Sequence, residues 1–196
     1  MSHLRACEWF VDGLPMSRAA ELVREHHYSR SCANTSVACH GLYHRDDYMT
    51  PVGAALWMPP TPNAAKTVAP VRRIPLRPDW RAVLCLSRLV VLPDVPTNGA
   101  SFLLGRSMRL LDRERWPVLL TYADTRHGHS GAIYKATNWT EVGEVKAGDQ
   151  WIGPFGEQRG RKRGPRNLAA AELEAMGFTR LPAAPKIKFV HSVGGL

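Results

Sequence analysis

The sequence predicts a single mixed α/β sheet with helices on both faces, and three observations predict it. Strand-like and helix-like segments alternate along the chain, which is the signature of a layered α/β domain. Residues 83–92 (Val-Leu-Cys-Leu-Ser-Arg-Leu-Val-Val-Leu) form a nearly continuous apolar run, as a central strand covered on both faces requires. Residues 98–115 then carry Leu104, Met108 and Leu111 at the spacing of one helix face. At 196 residues, 44% hydrophobic and 22% charged, the chain suits one domain and excludes wholesale disorder, collagen and coiled coil.

Taken in order, residues 7–12 (Cys-Glu-Trp-Phe-Val-Asp) read as a short strand. Residues 16–26 read as a helix capped by Ser17, with Ala19, Leu22, Val23 and His26 on one face. Residues 37–44 and 51–58 read as strands joined through Arg45-Asp46-Asp47-Tyr48 into a hairpin. Pro59, Pro60, Pro62, Pro70, Pro75 and Pro78 then argue against regular structure, because proline lacks the N–H that helices and ladders use. Residues 59–80 are therefore read as a Pro-rich, basic surface insertion. The buried strand leads through a turn into the helix over 98–115, capped by Thr97 or Asn98, with Arg106, Arg109 and Arg113 outward. Residues 118–123 are a strand ending at Asp124, 130–136 a short helix and 140–145 another strand. Residues 146–166 read as a basic loop, 168–176 as a helix stopped by Gly177, and 185–191 as the closing strand. The expectation is one catalytic domain over 1–196.

Charge narrows the partner. The formal net charge is +9, and it is concentrated. Residues 66–88 hold six cations against Asp79 alone, and residues 159–166 hold five cations and no acid. Clustered cations release counterions from phosphates, so a polyanion such as nucleic acid is the expected partner, with solvated loops or an acidic protein as the plainer readings. Cys7, Cys32, Cys39 and Cys85 form no Cys-x-x-Cys pair, which excludes a zinc ribbon or thioredoxin-type centre. No signal-peptide core and no long apolar run is present, so a cytoplasmic protein with no membrane partner is expected.

Two stretches carry chemistry. Asn98, Gly99, Ala100 and Ser101 make a small-residue first turn, where a phosphate can reach bare backbone N–H groups at the positive end of the helix dipole. An ordinary capped helix is the plainer reading. Asp124 ends a strand where open α/β sheets place their ligands. His127-Gly-His129 beside it suggests a metal such as iron or another divalent ion, against the commoner case of solvated loop histidines. Trp57, Trp80 and Trp151 are available to stack on a base, with core packing the competing role.

Ile133-Tyr134-Lys135-Ala136-Thr137-Asn138-Trp139 resembles the tyrosine-bearing helix of the GNAT acyltransferases. Tyr122-Ala123-Asp124, then Gly128-His129, then Gly131-Ala132-Ile133-Tyr134-Lys135-Ala136 resembles the Mom family, phage enzymes that convert adenine in DNA to a carbamoylmethyl derivative at N6. His26-His27-Tyr28-Ser29 after the first helix, and Arg88-Leu89-Val90-Val91 with Asn98 and Ser101 beyond, resemble the same family in the same order. The resemblance covers about 16–145, with a closing strand at 186–191, and departs from the GNAT phosphate-loop pattern at Val95, Asn98 and Ala100. It implies a GNAT-like, mostly antiparallel sheet flanked by helices, and catalysis by His27, Tyr28, Asp124 and Tyr134. It implies acetyl-CoA or a related acyl-CoA held by Leu89, Val91, Asn98, Gly99, Ala100 and Ser101. It implies double-stranded DNA gripped by Arg72, Arg73, Arg161, Lys162 and Arg163, in the host cytoplasm if phage-encoded, with restriction avoided as the outcome. In the Mom product the methylene carbon is joined to N6, so a redox metal or a different donor is implied beyond ordinary acyl transfer. An ordinary acyl-CoA-dependent N-acyltransferase and a non-catalytic basic DNA-binding protein are the alternatives.

Overall fold

The two runs flanking the 45–52 turn are largely apolar, the second of them at every position, and the runs pair. β2 (Ala38–His44) and β3 (Gly53–Met58) form an antiparallel hairpin, with β1 (Trp9–Gly13) outside β2 and β4 (Val83–Val91) on the far side of β3. The computed structural model describes residues 3–32, 34–68, 82–146, 148–163 and 166–192. β5 (Val118–Asp124) runs parallel to β4; beyond it lie β12 (Lys186–Ser192) and, at the edge, β6 (Thr140–Val145). The order β1-β2-β3-β4-β5-β12-β6 is antiparallel at every junction except β4 with β5.

Helices cover both faces because the strands alternate. Ala55 and Trp57 of β3 face α3 (Gly99–Leu110), whose Leu103, Leu104 and Met108 fill the main core. Ala54 and Leu56 face α1 (Met16–His26) through Ala19 and Val23. Each fully buried aliphatic side chain here contributes roughly 1.5–3 kcal/mol. α4 (Ala132–Lys135) lies on the α3 side, where Tyr134 joins the main core.

Two irregularities at β4 create the site. β4 and β5 pair only at Val83–Cys85 with Val118–Leu120, so the strands part beyond those residues and open a cleft. Ser87 is an extra residue in β4: Leu86 pairs with Trp57, but Arg88 pairs with Leu56. A bulge of this kind reverses the alternation that follows it. Without it Arg88 would point into the α3 core; with it, Arg88 lies on the α1 face, and Leu89 and Val91 take the core side.

Several expectations change. α1 starts after Pro15 with no side-chain cap, Ser17 lies inside the helix, and His26 is exposed. α3 ends at Leu110 because the Asp112 carboxylate accepts from Glu114 and Arg115 N–H, at 3.1 and 3.0 Å, and turns the chain. That places Arg113 beyond the helix, half-buried, donating to the Pro117 carbonyl at 3.2 Å. In the Pro-rich stretch, Thr61 caps α2 (Pro62–Lys66) by accepting from Ala64 N–H at 3.3 Å, and proline at the first helical position is well tolerated. Ala65 and Val68 then bury against Val83, Val118 and Val190. Residues 69–81, with Arg72, Arg73 and Trp80, lie outside the described residues.

The basic segment is not a plain loop. β7 (Gln150–Ile152), β8 (Gln158–Arg159) and β11 (Thr179–Leu181) form a three-stranded sheet, and β9 (Lys162–Arg163) pairs with β10 (Arg166–Asn167). Trp151, Leu168, Phe178 and Leu173 of α5 (Ala170–Ala175) make a small core of their own. Trp151 is therefore buried rather than available to a base. Trp57 is too, its indole N–H donating to Ser107 Oγ at 2.7 Å.

Candidate active site

The cleft between β4 and β5 holds a cavity of about 220 Å³, walled from both faces of the sheet. His27, Tyr28 and Arg88 line it from the α1 side, Thr121 and Tyr134 from the α3 side, and Asp124 at the end of β5. The four expected catalytic residues thus meet around one space, although Tyr28 and Asp124 are nearly a hundred residues apart.

His27 is the first residue past α1, and its position is tied down locally. Ser29 N–H donates to His27 Nδ1 at 3.1 Å, and Ser29 Oγ lies 2.8 Å from the same nitrogen. Burial first, then Arg88, His129 and His127, push its pKa down to about 3. The ring is neutral at ordinary pH and carries its proton on Nε2, so it acts as a hydrogen-bond donor. Tyr28 stacks between His27 and His127, with ring centroids 4.2 and 3.9 Å away. Burial and the nearby Asp124 push its pKa up to about 12, so its hydroxyl stays protonated.

Asp124 is only 5% exposed. Its Oδ1 accepts from Arg126 N–H at 3.2 Å, and its Oδ2 lies 3.1 Å from Lys186 Nζ. Across the sheet, Tyr134 packs on Phe189 and Trp139 at 5.1 and 5.8 Å. Burial raises the pKa of this phenol as well. Gly131 opens the short helix at φ 78°, and a Cβ there would overlap the Phe189 ring. The glycine before Ile133-Tyr134 is thus a packing requirement of Tyr134's own support.

Cofactor residues divide. Beyond Cys85 the edge of β4 that faces β5 has no strand partner among the described residues, so the backbone around Leu89 and Val91 is open to an extended amide chain. Leu89 lines the cavity; Val91 and residues 98–101 do not. Asn98 Oδ1 accepts from Leu4 N–H at 2.6 Å, and Ser101 Oγ donates to the Asn98 carbonyl at 3.0 Å, so both side chains are used internally. Gly99 is buried, and a Cβ there would overlap Val95. What remains for a phosphate is the unshared N–H groups of the first turn of α3. An acyl-CoA fits an open strand edge followed by a helix N-terminus. A metal fits less well: among the described residues no group of three or more His, Cys, Asp or Glu is placed to hold one. His127 and His129 instead flank the Tyr28 ring. The Cys85 thiol is half-buried, desolvation pushes its pKa up to about 12, and all four cysteines are free.

A second cleft, of about 600 Å³, shares Tyr28, Arg88 and Asp124 with the cavity. Arg159, Lys162 and Lys186 line it. Lys162 is thus where a polyanion contact is expected, and Arg163 is exposed beside it. Arg161 Nε donates to the Leu168 carbonyl at 2.8 Å and helps to hold the small sheet together.

Arg88, Lys186 and Thr121 were not picked out as site residues by sequence. Arg88 donates to the Ser31 and Ser87 carbonyls at 2.7 and 2.6 Å and has no carboxylate within ion-pair distance among the described residues. The available signal was a lone charge inside an apolar strand. Lys186 is recognisable only once β12 is known to pair it with Asp124.

A seven-stranded sheet parted between parallel fourth and fifth strands, with a cavity in the gap, defines the GNAT acyltransferase fold. An acetyltransferase from Bacillus subtilis in complex with CoA superposes with a TM-score of 0.51 at 5% identity, covering 95% of this chain and 98% of that one. The ribosomal-protein-S18-alanine N-acetyltransferase of Escherichia coli gives 0.51 at 10% identity, covering 96% and 95%. Within that class the chain belongs to the Mom protein family, whose model matches residues 8–176. It is 28% identical over 129 residues to the methylcarbamoylase Mom of Escherichia phage Mu, an alignment covering 64% of this chain and 49% of that protein. This chain therefore matches about half the length of that relative. No helix among the described residues is long and apolar enough to cross a membrane.

Proposed function

We propose that this protein is a Mom-type transferase that attaches a carbamoylmethyl group to the N6 amine of adenine in double-stranded DNA, in the host cytoplasm, protecting phage DNA from restriction. The observation that carries the reading is the shared wall: Tyr28, Arg88 and Asp124 face both the transferase cavity and a cleft lined by Arg159, Lys162 and Lys186. An adenine amine inside a duplex is out of reach of any pocket, so the base must be turned out of the stack. The cationic cleft takes the sugar–phosphate backbone, and the base passes the shared wall into the cavity.

In this arrangement Asp124 accepts a hydrogen bond from the exocyclic amine and takes its proton as the new C–N bond forms. Arg126 N–H and Lys186 hold the carboxylate in place for that role. Tyr28, protonated at neutral pH, and the Nε2–H of His27 donate hydrogen bonds to the incoming groups. Tyr134 reaches the cavity from the opposite face and would give its proton to the group that leaves the donor's methylene carbon. When bound, an acyl-CoA would lie along the open edge of β4 and the first turn of α3; its thioester carbonyl would give an N6-acyl group, so the methylene-linked product calls for a donor whose methylene carbon carries the leaving group.

The relative named above and the family membership support this reading over an ordinary N-acyltransferase, which the fold alone would equally permit. Salt tells the two apart. Affinity for duplex DNA should fall steeply as salt rises, with log Kd changing by several units per tenfold salt, because phosphate contacts release about one counterion each. A flat salt response, with acetyl transfer to a small amine, would favour the ordinary acyltransferase.

A further inference from the structure

Phe155 is the most exposed large apolar side chain among the described residues, at 82%. The small sheet around it buries Trp151, Leu168, Leu173 and Phe178, so this is not a shortage of core. The turn that displays it is built firmly. Gly153 N–H donates to the Glu157 carbonyl at 2.8 Å, Gly156 N–H to the Gly153 carbonyl at 3.0 Å, and Gly156 sits at φ 79°. The Glu157 carboxylate accepts from Phe155 N–H at 3.1 Å, and Glu157 also lines the cleft. Immediately afterwards the chain is fastened to the loop that carries Tyr28. Gln158 N–H donates to the Ser29 carbonyl at 2.8 Å, and Ser31 Oγ donates to the Gln158 carbonyl at 2.7 Å. The Gln158 amide lies 3.3 Å from His127 Nε2.

We infer that Phe155 is a wedge that enters the DNA base stack and fills the space left when the adenine turns into the cavity; this rests on the DNA-modifying role proposed above. An apolar side chain inserted between base steps unstacks them and props the duplex open. Charge favours DNA as the occupant. The residues that follow, 158–166, carry five cations and no acid, and Arg159 and Lys162 line the cleft that meets the cavity. Tyr48 and Met49 are exposed too, but the 45–52 turn that carries them lines neither the cavity nor the cleft, whereas residues 157–160, next to Phe155, line the cleft. A preformed turn also spares the ordering cost that a loose loop would incur on binding.

The test uses the full chain and a duplex carrying 2-aminopurine in place of adenine, whose fluorescence rises when the base leaves the stack. Wild-type protein should raise it, F155L should keep about half of that rise or more, and F155A should keep less than about a fifth while binding with a Kd within roughly twofold of wild type. In expressing cells F155A should lower the modified fraction of adenine about tenfold. The side chain makes no core contact, so F155A should melt at the wild-type temperature. Fluorescence and modification unchanged in F155A would overturn the wedge alone. So would a loss explained by a change from dimer to monomer in sedimentation, which would make Phe155 a contact to a second copy. Wild-type protein that neither modifies DNA nor raises the fluorescence would overturn the wedge and the DNA-modifying reading together.

Discussion

Gly131 meets two constraints at once, and neither involves a reacting atom. Its φ of 78° strains any L side chain, and a Cβ would collide with Phe189, the ring that supports Tyr134. Gly131→Ala should cost about 2–5 kcal/mol, the sum of the left-handed backbone penalty and overpacking. Urea unfolding measures it, and a loss below about 1 kcal/mol would contradict the packing described. Asp124 makes the opposite case, because its neighbours serve to hold a carboxylate in the cavity. Asp124→Asn should abolish modified adenine in DNA from expressing cells while the protein still folds; full activity in that variant would remove Asp124 from its assigned role. His27 adds a pH signature. Its folded pKa lies near 3 against 6.5 in the unfolded chain, so below 6.5 the unfolded state takes up a proton that the folded state refuses. Stability should therefore fall as pH drops from 6.5 toward 3. His27→Gln should narrow the stability gap between about pH 7 and about pH 4.5, and an unchanged gap would show that the ring titrates normally.

Among the elements, those with a long apolar period were legible and those of two or three residues were not. β4, α3 and β5 were readable because burial on two faces, or on one helix face, leaves a pattern over many residues. β7, β8 and β9 are too short for any period to emerge, and the cations of residues 159–166 point to a solvated loop. α2 was hidden for another reason: its prolines were counted as breakers, although Thr61-Pro62 is a helix start. The cations of the small sheet also differ in ways seen only in three dimensions: Arg161 holds the Leu168 carbonyl, and Arg159 donates to the Lys162 carbonyl and lies over the Phe178 ring while lining the cleft with Lys162. Replacing Arg159, Lys162 and Arg163 by glutamine should reduce the slope of log Kd against log salt by up to about 2.7, at about 0.9 for each phosphate no longer neutralised. A slope equal to that of wild type would place the DNA elsewhere on the surface.

At the scale of the whole molecule, the site is a consequence of topology. His27, Tyr28, Asp124 and Tyr134 were legible one by one through short motifs, but nothing local says that segments from opposite faces of the sheet converge. The convergence comes from β4 and β5 pairing over only three residues each, and from the Ser87 bulge that brings Arg88 to the α1 side. The same topology sets the cavity against the cationic cleft, and so relates the +9 charge to the chemistry proposed here. The most direct test of that proposal is to digest DNA from cells expressing the protein and weigh the nucleosides. A deoxyadenosine heavier by one carbamoylmethyl group, absent from cells expressing Asp124→Asn, is the predicted result. Unmodified deoxyadenosine alone, from cells that hold intact and folded protein, would contradict it.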